Sequence, residues 1–301
     1  MDNTRNRRQR RRVLGKAVTV TAGCAALLGL QTTPASAAGT QLAAPYQGMD
    51  TCPVTAPLLT AADNLQVGCV HSEVAGGTFR IGDYSVPIGA PMKLNWGIRW
   101  SSAAPTVDVL GSTANVYDTA DPSGGPLLDA PVTEAPLPGL ANFWPGVTSA
   151  DIKVEPAGKI KNFVPLAVGS DHPLFEMPIK LKVIHPLLGS RCYVGSDSSP
   201  IVLRASSPAA PEMTVDADPN GHGTAVLKVV NGTLTDSSVA IPGASRCGLL
   251  GLGESNWIVN SLFDLPAGAG KNAVTFTGVN TSIAIDGSLE SLTAALDDAR
   301  G

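Results

Sequence analysis

The sequence predicts an all-β protein: an antiparallel β-sandwich of roughly ten short strands, with one or two short helices near the C-terminus and two disulfides. Three observations predict it. Several segments alternate apolar and polar residues with a period of two, the mark of a half-buried strand. The chain holds 32 Gly and 24 Pro with only 15% charged residues, which favours many turns over long helices. Four of the five cysteines, Cys52, Cys69, Cys192 and Cys247, follow an N-terminal export signal, and an even count in an exported chain reads as two disulfides.

Residues 1–37 read as a signal peptide. Arg5, Arg7, Arg8, Arg10, Arg11 and Arg12 form a basic head, a mostly apolar run extends from Val13 to Leu30, and Pro34-Ala35-Ser36-Ala37 supplies small residues. That order predicts secretion with cleavage after Ala37. The run contains Gly15, Lys16 and Gly23, which disfavours an uncleaved anchor. Arg10-Arg11-Arg12-Val13-Leu14 also matches a twin-arginine signal, but any Arg-rich head contains such a pair, so the general export route is preferred. Cys24 lacks an aliphatic residue three positions before it, which argues against lipidation.

Residues 1–37 hold 7 basic residues and one acid, leaving 14 basic and 24 acidic residues in 38–301, a net charge of −10. Like charge repels nucleic acid and anionic membrane surfaces. No later apolar run is long enough to span a membrane. The expected location is extracellular or cell-envelope associated, and the expected partner is an extracellular or cell-wall ligand, with no nucleic acid and no membrane span after cleavage.

Residues 38–60 are small, polar and Pro-containing, and read as an irregular lead-in to a β-sandwich domain over 61–301. Gly77 to Ser85 predicts a short strand with Phe79 and Ile81 on one face. Met92, Leu94, Trp96, Ile98 and Trp100 alternate with Lys93, Asn95, Gly97 and Arg99, the cleanest strand pattern in the chain. A row of tryptophans could stack on sugars, but the accompanying Met92, Leu94 and Ile98 favour a core face. Thr106–Leu110 and Ala114–Tyr117 are shorter strand candidates. The region 121–140 carries five prolines and reads as a long loop and a candidate subdomain boundary. Ala150–Glu155 and Asn162–Val168 precede the organising segment.

In that segment, Phe175, Met177, Ile179, Leu181 and Val183 point one way and Glu176, Lys180 and Lys182 the other. Pro186 and Gly189 end the run, Ser196–Ser199 make a turn, and Pro200-Ile201-Val202-Leu203 begins a partner strand. Thr224–Val230, Val274–Phe276 and Thr281–Ile285 supply later strands. Ser288–Arg300 predicts a helix capped by Ser288, with Leu289, Leu292 and Leu296 on one face. Ser255–Leu265 predicts a shorter one with Trp257, Ile258, Leu262 and Leu265 inward.

Three disulfide pairings are open to four cysteines; the local one, Cys52–Cys69 with Cys192–Cys247, is favoured, and closing these loops would stabilise by about 3 and 4 kcal/mol. Pro186-Leu187-Leu188-Gly189, Cys192-Tyr193-Val194-Gly195-Ser196 and Pro242-Gly243-Ala244-Ser245-Arg246-Cys247-Gly248 resemble an uncharacterised secreted β-rich protein family of high-GC Gram-positive bacteria (actinobacteria). The resemblance spans about half of the chain after the signal peptide and implies no catalytic residues.

Motifs for chemistry are few. Asp216, Asp218 and Asn220, followed by Gly221, match the first half of a calcium loop, but Leu227 stands where a bidentate Glu should close the shell. Asp-Pro-Asn-Gly is also ordinary turn chemistry, which is the favoured reading. No cofactor is therefore expected, with calcium the one candidate. His71, His172, His185 and His222 show no ligand spacing. Gly243-Ala244-Ser245-Arg246-Cys247 fails the nucleophile-elbow pattern at its last position, and Gly268-Ala269-Gly270-Lys271-Asn272 lacks the rest of a phosphate loop. The expectation is a secreted protein with a non-enzymatic binding or structural role; the alternative is a secreted hydrolase acting on envelope or environmental polymers.

Overall fold

The structure, a computed structural model, describes residues 41–301 except 90 and 146. The signal peptide and the Ala37 cleavage site lie outside the described residues. The strands are β1 (Asn64–Ile81), β2 (Tyr84–Ile88), β3 (Met92–Ser101), β4 (Thr106–Val109), β5 (Ser112–Asn115) and β6 (Asp118–Ala120). Then come β7 (Leu128–Asp129), β8 (Thr133–Pro136), β9 (Ser149–Pro156), β10 (Ser170–Ile184) and β11 (Tyr193–Val194). The last are β12 (Ile201–Ser207), β13 (Glu212–Ala217), β14 (Ala225–Asp236), β15 (Ala244–Ser245) and β16 (Ala273–Asp286). Two helices, α1 (Asn256–Phe263) and α2 (Leu289–Asp298), lie near the C-terminus.

Fourteen strands form one antiparallel sheet whose spine runs β15-β11-β10-β12-β14-β16-β1-β3-β6; β4 and β5 form a separate hairpin. That hairpin turns on Leu110 and Gly111, both at positive φ (53° and 78°), as a tight two-residue turn demands. The large sheet is curled. β3 and β10 stand five places apart along the spine, about 24 Å in a flat sheet. Yet the rings of Trp96 on β3 and Phe175 on β10 lie 6.2 Å apart. The curl coincides with irregularities at one level of the central strands. Asn231 (φ 52°) and a register shift interrupt β14 before Gly232, and Gly278 (φ 61°) interrupts β16. A Cβ on Gly278 would lie 2.7 Å from that of Ala75, so this approach of β16 to β1 requires glycine.

The concave side holds the main core, to which β10 contributes the predicted row Met177, Ile179, Leu181 and Val183. The opposite face of the central strands is covered too. Leu42, Tyr46, Met49 and Leu59 of the lead-in join Leu292, Ala295 and Leu296 of α2 over Val67, Cys69, Val226 and Ala284. That second cover explains the largest difference from the sequence reading. β1 starts at Asn64, not Gly77, and Val67, Gly68, Cys69 and Val70 are buried in succession, so no alternation marks them.

The strands are also longer and more numerous than roughly ten short ones, since glycine-marked bulges let β14 and β16 continue where the pattern breaks. Residues 121–140, expected as loop, contribute β7 and β8 and the core residues Leu128, Ala135 and Leu137. Asn162–Val168 is a bridge at residue 163 and a short turn at Pro165–Ala167 instead of a strand, because Pro165 has no N–H to give a ladder.

Both disulfides take the local pairing, Cys52–Cys69 and Cys192–Cys247. The first ties the lead-in to the middle of β1, and the second ties the turn after β10 to the segment before α1. Ser288 caps α2 by accepting from Ser291 N–H at 3.5 Å. In α1, Ile258, Val259, Leu262 and Phe263 face inward; Trp257, expected inward, is 59% exposed because it lies off that stripe.

Candidate functional site

The concave side of the curled sheet encloses a cavity of about 110 Å³. β1 and β3 contribute Val74, Phe79, Met92, Leu94 and Trp96; β10 and β12 contribute Met177, Ile179, Leu181 and Leu203; β14 and β16 contribute Leu227, Leu234, Phe276, Val279 and Ile283. Each strand sends alternate side chains to this face, so the period-two pattern builds the apolar wall. Among the described residues no ionisable side chain lines the cavity.

Its few polar groups are largely spoken for. The hydroxyls of Ser72 and Thr281, neighbours across the β1–β16 ladder, hydrogen-bond each other at 2.8 Å. The Ser207 hydroxyl donates to Ala209 C=O at 3.1 Å. Trp96 differs. It is 3% exposed, and its ring packs edge-on against Phe163 at 5.6 Å and tilted against Phe175. Its indole Nε1–H has no hydrogen-bond partner among the described residues. A buried donor left unpaired costs about 1–3 kcal/mol. A guest that brings an acceptor to that N–H would recover the loss. Trp100, which shares the strand face with Trp96, is partly buried against the same core, so the pair forms no exposed sugar platform.

The sequence-derived calcium candidates have other partners. Asp216, on β13, pairs with Lys228 Nζ at 2.6 Å. Asp218 is buried in the turn after β13: Oδ1 accepts from Tyr46 O–H at 3.0 Å and Oδ2 from His222 N–H at 2.8 Å. Burial raises the Asp218 carboxyl pKa, but the His222, Tyr46 and Asn220 hydrogen bonds outweigh it and hold the group below its ordinary value. The Asn220 backbone is one of those donors, and its side chain is exposed. Among the described residues no cluster of three or more His, Cys, Asp or Glu is placed to hold a metal ion.

The histidines are dispersed. His71 Nδ1 lies 2.8 Å from Asn95 Oδ1, His172 Nδ1 lies 2.8 Å from Pro173 C=O, and His222 Nε2 pairs with Asp298 at 2.8 Å. His185 stacks on Trp144, and burial pushes its pKa down. Ser245 donates its hydroxyl to Gly195 C=O at 2.9 Å.

Comparison with protein-family models, curated proteins and solved structures finds no match for this chain. What fold and site define is a class: a curled antiparallel β protein, held by two disulfides, with an apolar cavity inside the curl. No described helix is long and apolar enough to cross a membrane. The two disulfides are compatible with an extracellular protein. Trp96 was legible in the sequence as a core residue. Its unpaired N–H was not, because pairing depends on neighbours brought together by the curl.

Proposed function

We propose that this is an exported, non-enzymatic binding protein whose curled sheet holds a small apolar ligand carrying one hydrogen-bond acceptor. The observation that carries the reading is the unpartnered, buried Nε1–H of Trp96, a residue that lines a mostly apolar cavity. The size supports a short alkyl segment or small ring, since a dry apolar cavity of about 150 Å³ takes benzene. Met92 and Met177 add adaptable walls, as thioether side chains reshape at low cost. Export is supported by the basic, apolar and small-residue order of residues 1–37 and by the two disulfides. The hydrolase alternative has no specific observation in its favour: among the described residues the cavity wall offers no acid, base or nucleophile–base pair.

The test compares diethyl ketone with pentane, similar in size but differing in an acceptor, by the melting-temperature shift each produces. Wild type should bind the ketone more tightly by about fivefold, the equivalent of about 1 kcal/mol. Trp96→Phe should erase that preference while leaving pentane binding in place. Equal binding of both by wild type, or no binding of either, would overturn the reading.

A further inference from the structure

The segment from Gly248 to Glu254, Gly-Leu-Leu-Gly-Leu-Gly-Glu, closes a compact loop between β15 and α1. Its ends meet through Ser255 N–H to Cys247 C=O at 3.0 Å, and its base is fixed by the Cys192–Cys247 disulfide. Surface hydrogen bonds brace it: the Glu254 carboxylate accepts from Leu250 N–H at 2.6 Å and Leu252 N–H at 3.0 Å, and Arg191 Nη2 donates to Leu250 C=O at 3.2 Å. Glycine makes room for both. A Cβ on Gly248 would strike the Glu254 carboxyl at 2.2 Å, and one on Gly251 would sit 2.8 Å from the Arg191 guanidinium. The loop's leucines lie on the surface, with Leu249, Leu250 and Leu252 at 73%, 69% and 82% exposed.

Neighbours extend the apolar face. Trp257 lies in the first turn of α1, edge-on to Phe143 at 5.5 Å. The Pro186–Leu188 turn abuts the loop, since Leu188 C=O accepts from Gly248 N–H at 2.8 Å, and Leu187 beside it is exposed. Exposed Arg191 and Arg246 flank the loop, while its one carboxylate is held by amides.

From this geometry we infer that the leucine loop is a membrane-docking tip, inserting Leu249, Leu250 and Leu252 into a lipid surface with Trp257 at the headgroup level. Three features select lipid. The leucines are each more than two-thirds exposed on a surface loop and line neither described pocket. An exposed tryptophan, Trp257, follows the loop closely in sequence, and an amphipathic ring suits the interface. The two guanidiniums complement headgroup phosphates. The net charge of −10 over residues 38–301 opposes long-range attraction to an anionic bilayer, so the contact is short-range and driven by leucine burial.

The experiment is co-sedimentation of the mature protein with phosphatidylcholine vesicles, pure or with one fifth phosphatidylglycerol. Wild type should partition onto both. The triple variant Leu249→Ser, Leu250→Ser, Leu252→Ser should lose at least about tenfold in partition while its circular dichroism and melting temperature stay as in wild type. Arg246→Ala should weaken binding to the mixed vesicles by about fivefold. Absence of wild-type binding, or equal binding by the triple variant, would overturn the inference. So would self-association of wild type without vesicle binding that the triple variant abolishes, which would make a second copy of the chain the partner.

Discussion

The Tyr46 hydroxyl donates a 3.0 Å hydrogen bond to Asp218 Oδ1, joining the lead-in to the turn after β13 across 172 residues of sequence. Both residues are buried, Tyr46 at 1% exposure. The bond does for the outer cover of the sheet what the Cys52–Cys69 disulfide does nearby: it holds residues without strand structure against β1, β14 and α2.

Tyr46→Phe should therefore cost about 1–3 kcal/mol, because a buried carboxylate loses a donor. At roughly 2–4 °C per kcal/mol the melting temperature should fall accordingly. The pH dependence has two edges. Tyr46 is raised above its ordinary value by burial first and Asp218 second, so its stabilisation is complete below pH about 10 and lost as pH rises beyond that. Asp218 is depressed, so its share is complete above pH about 4 and lost as pH falls below that. Urea midpoints across pH should show both edges in wild type and a diminished alkaline edge in Tyr46→Phe. An unchanged alkaline edge would contradict this assignment.

The disulfides should contribute unequally. Cys192–Cys247 closes a separation of 55 residues and Cys52–Cys69 one of 17. Loop entropy gives about 4 and 3 kcal/mol respectively. Paired Cys→Ala variants at each bridge should lower the urea midpoint in that order, and removal of Cys192–Cys247 should also loosen the leucine loop to proteolysis. The opposite ranking would show that the lead-in contributes more to native stability than chain entropy alone provides.

Calcium should leave the protein unchanged. A cation at Asp216, Asp218 and Asn220 would have to displace Lys228 from one carboxylate and Tyr46 and His222 from the other. A site of the weak extracellular class would still give about 1.4 kcal/mol at ten times its dissociation constant. Melting in 10 mM calcium against chelator should show no rise. A rise that vanishes in Asp216→Ala would establish the site.

The sequence by itself determined the class of fold, the face of each alternating strand and the two helices. Period-two burial in β3 and β10, the Ser288 cap and the turn glycines are local properties that survive without knowledge of neighbours. It also favoured the disulfide pairing, through simple proximity along the chain. Tertiary structure decided the rest. β1 was hidden because α2 and the lead-in bury its second face, erasing the alternation at Val67–Val70. Trp257 turned outward because Ile258, Val259, Leu262 and Phe263 filled the inner stripe of a two-turn helix. The cavity exists only because the sheet curls far enough to bring Trp96 to Phe175. Curvature of that kind sums small twists and bulges over many strands, and no single stretch of residues encodes it.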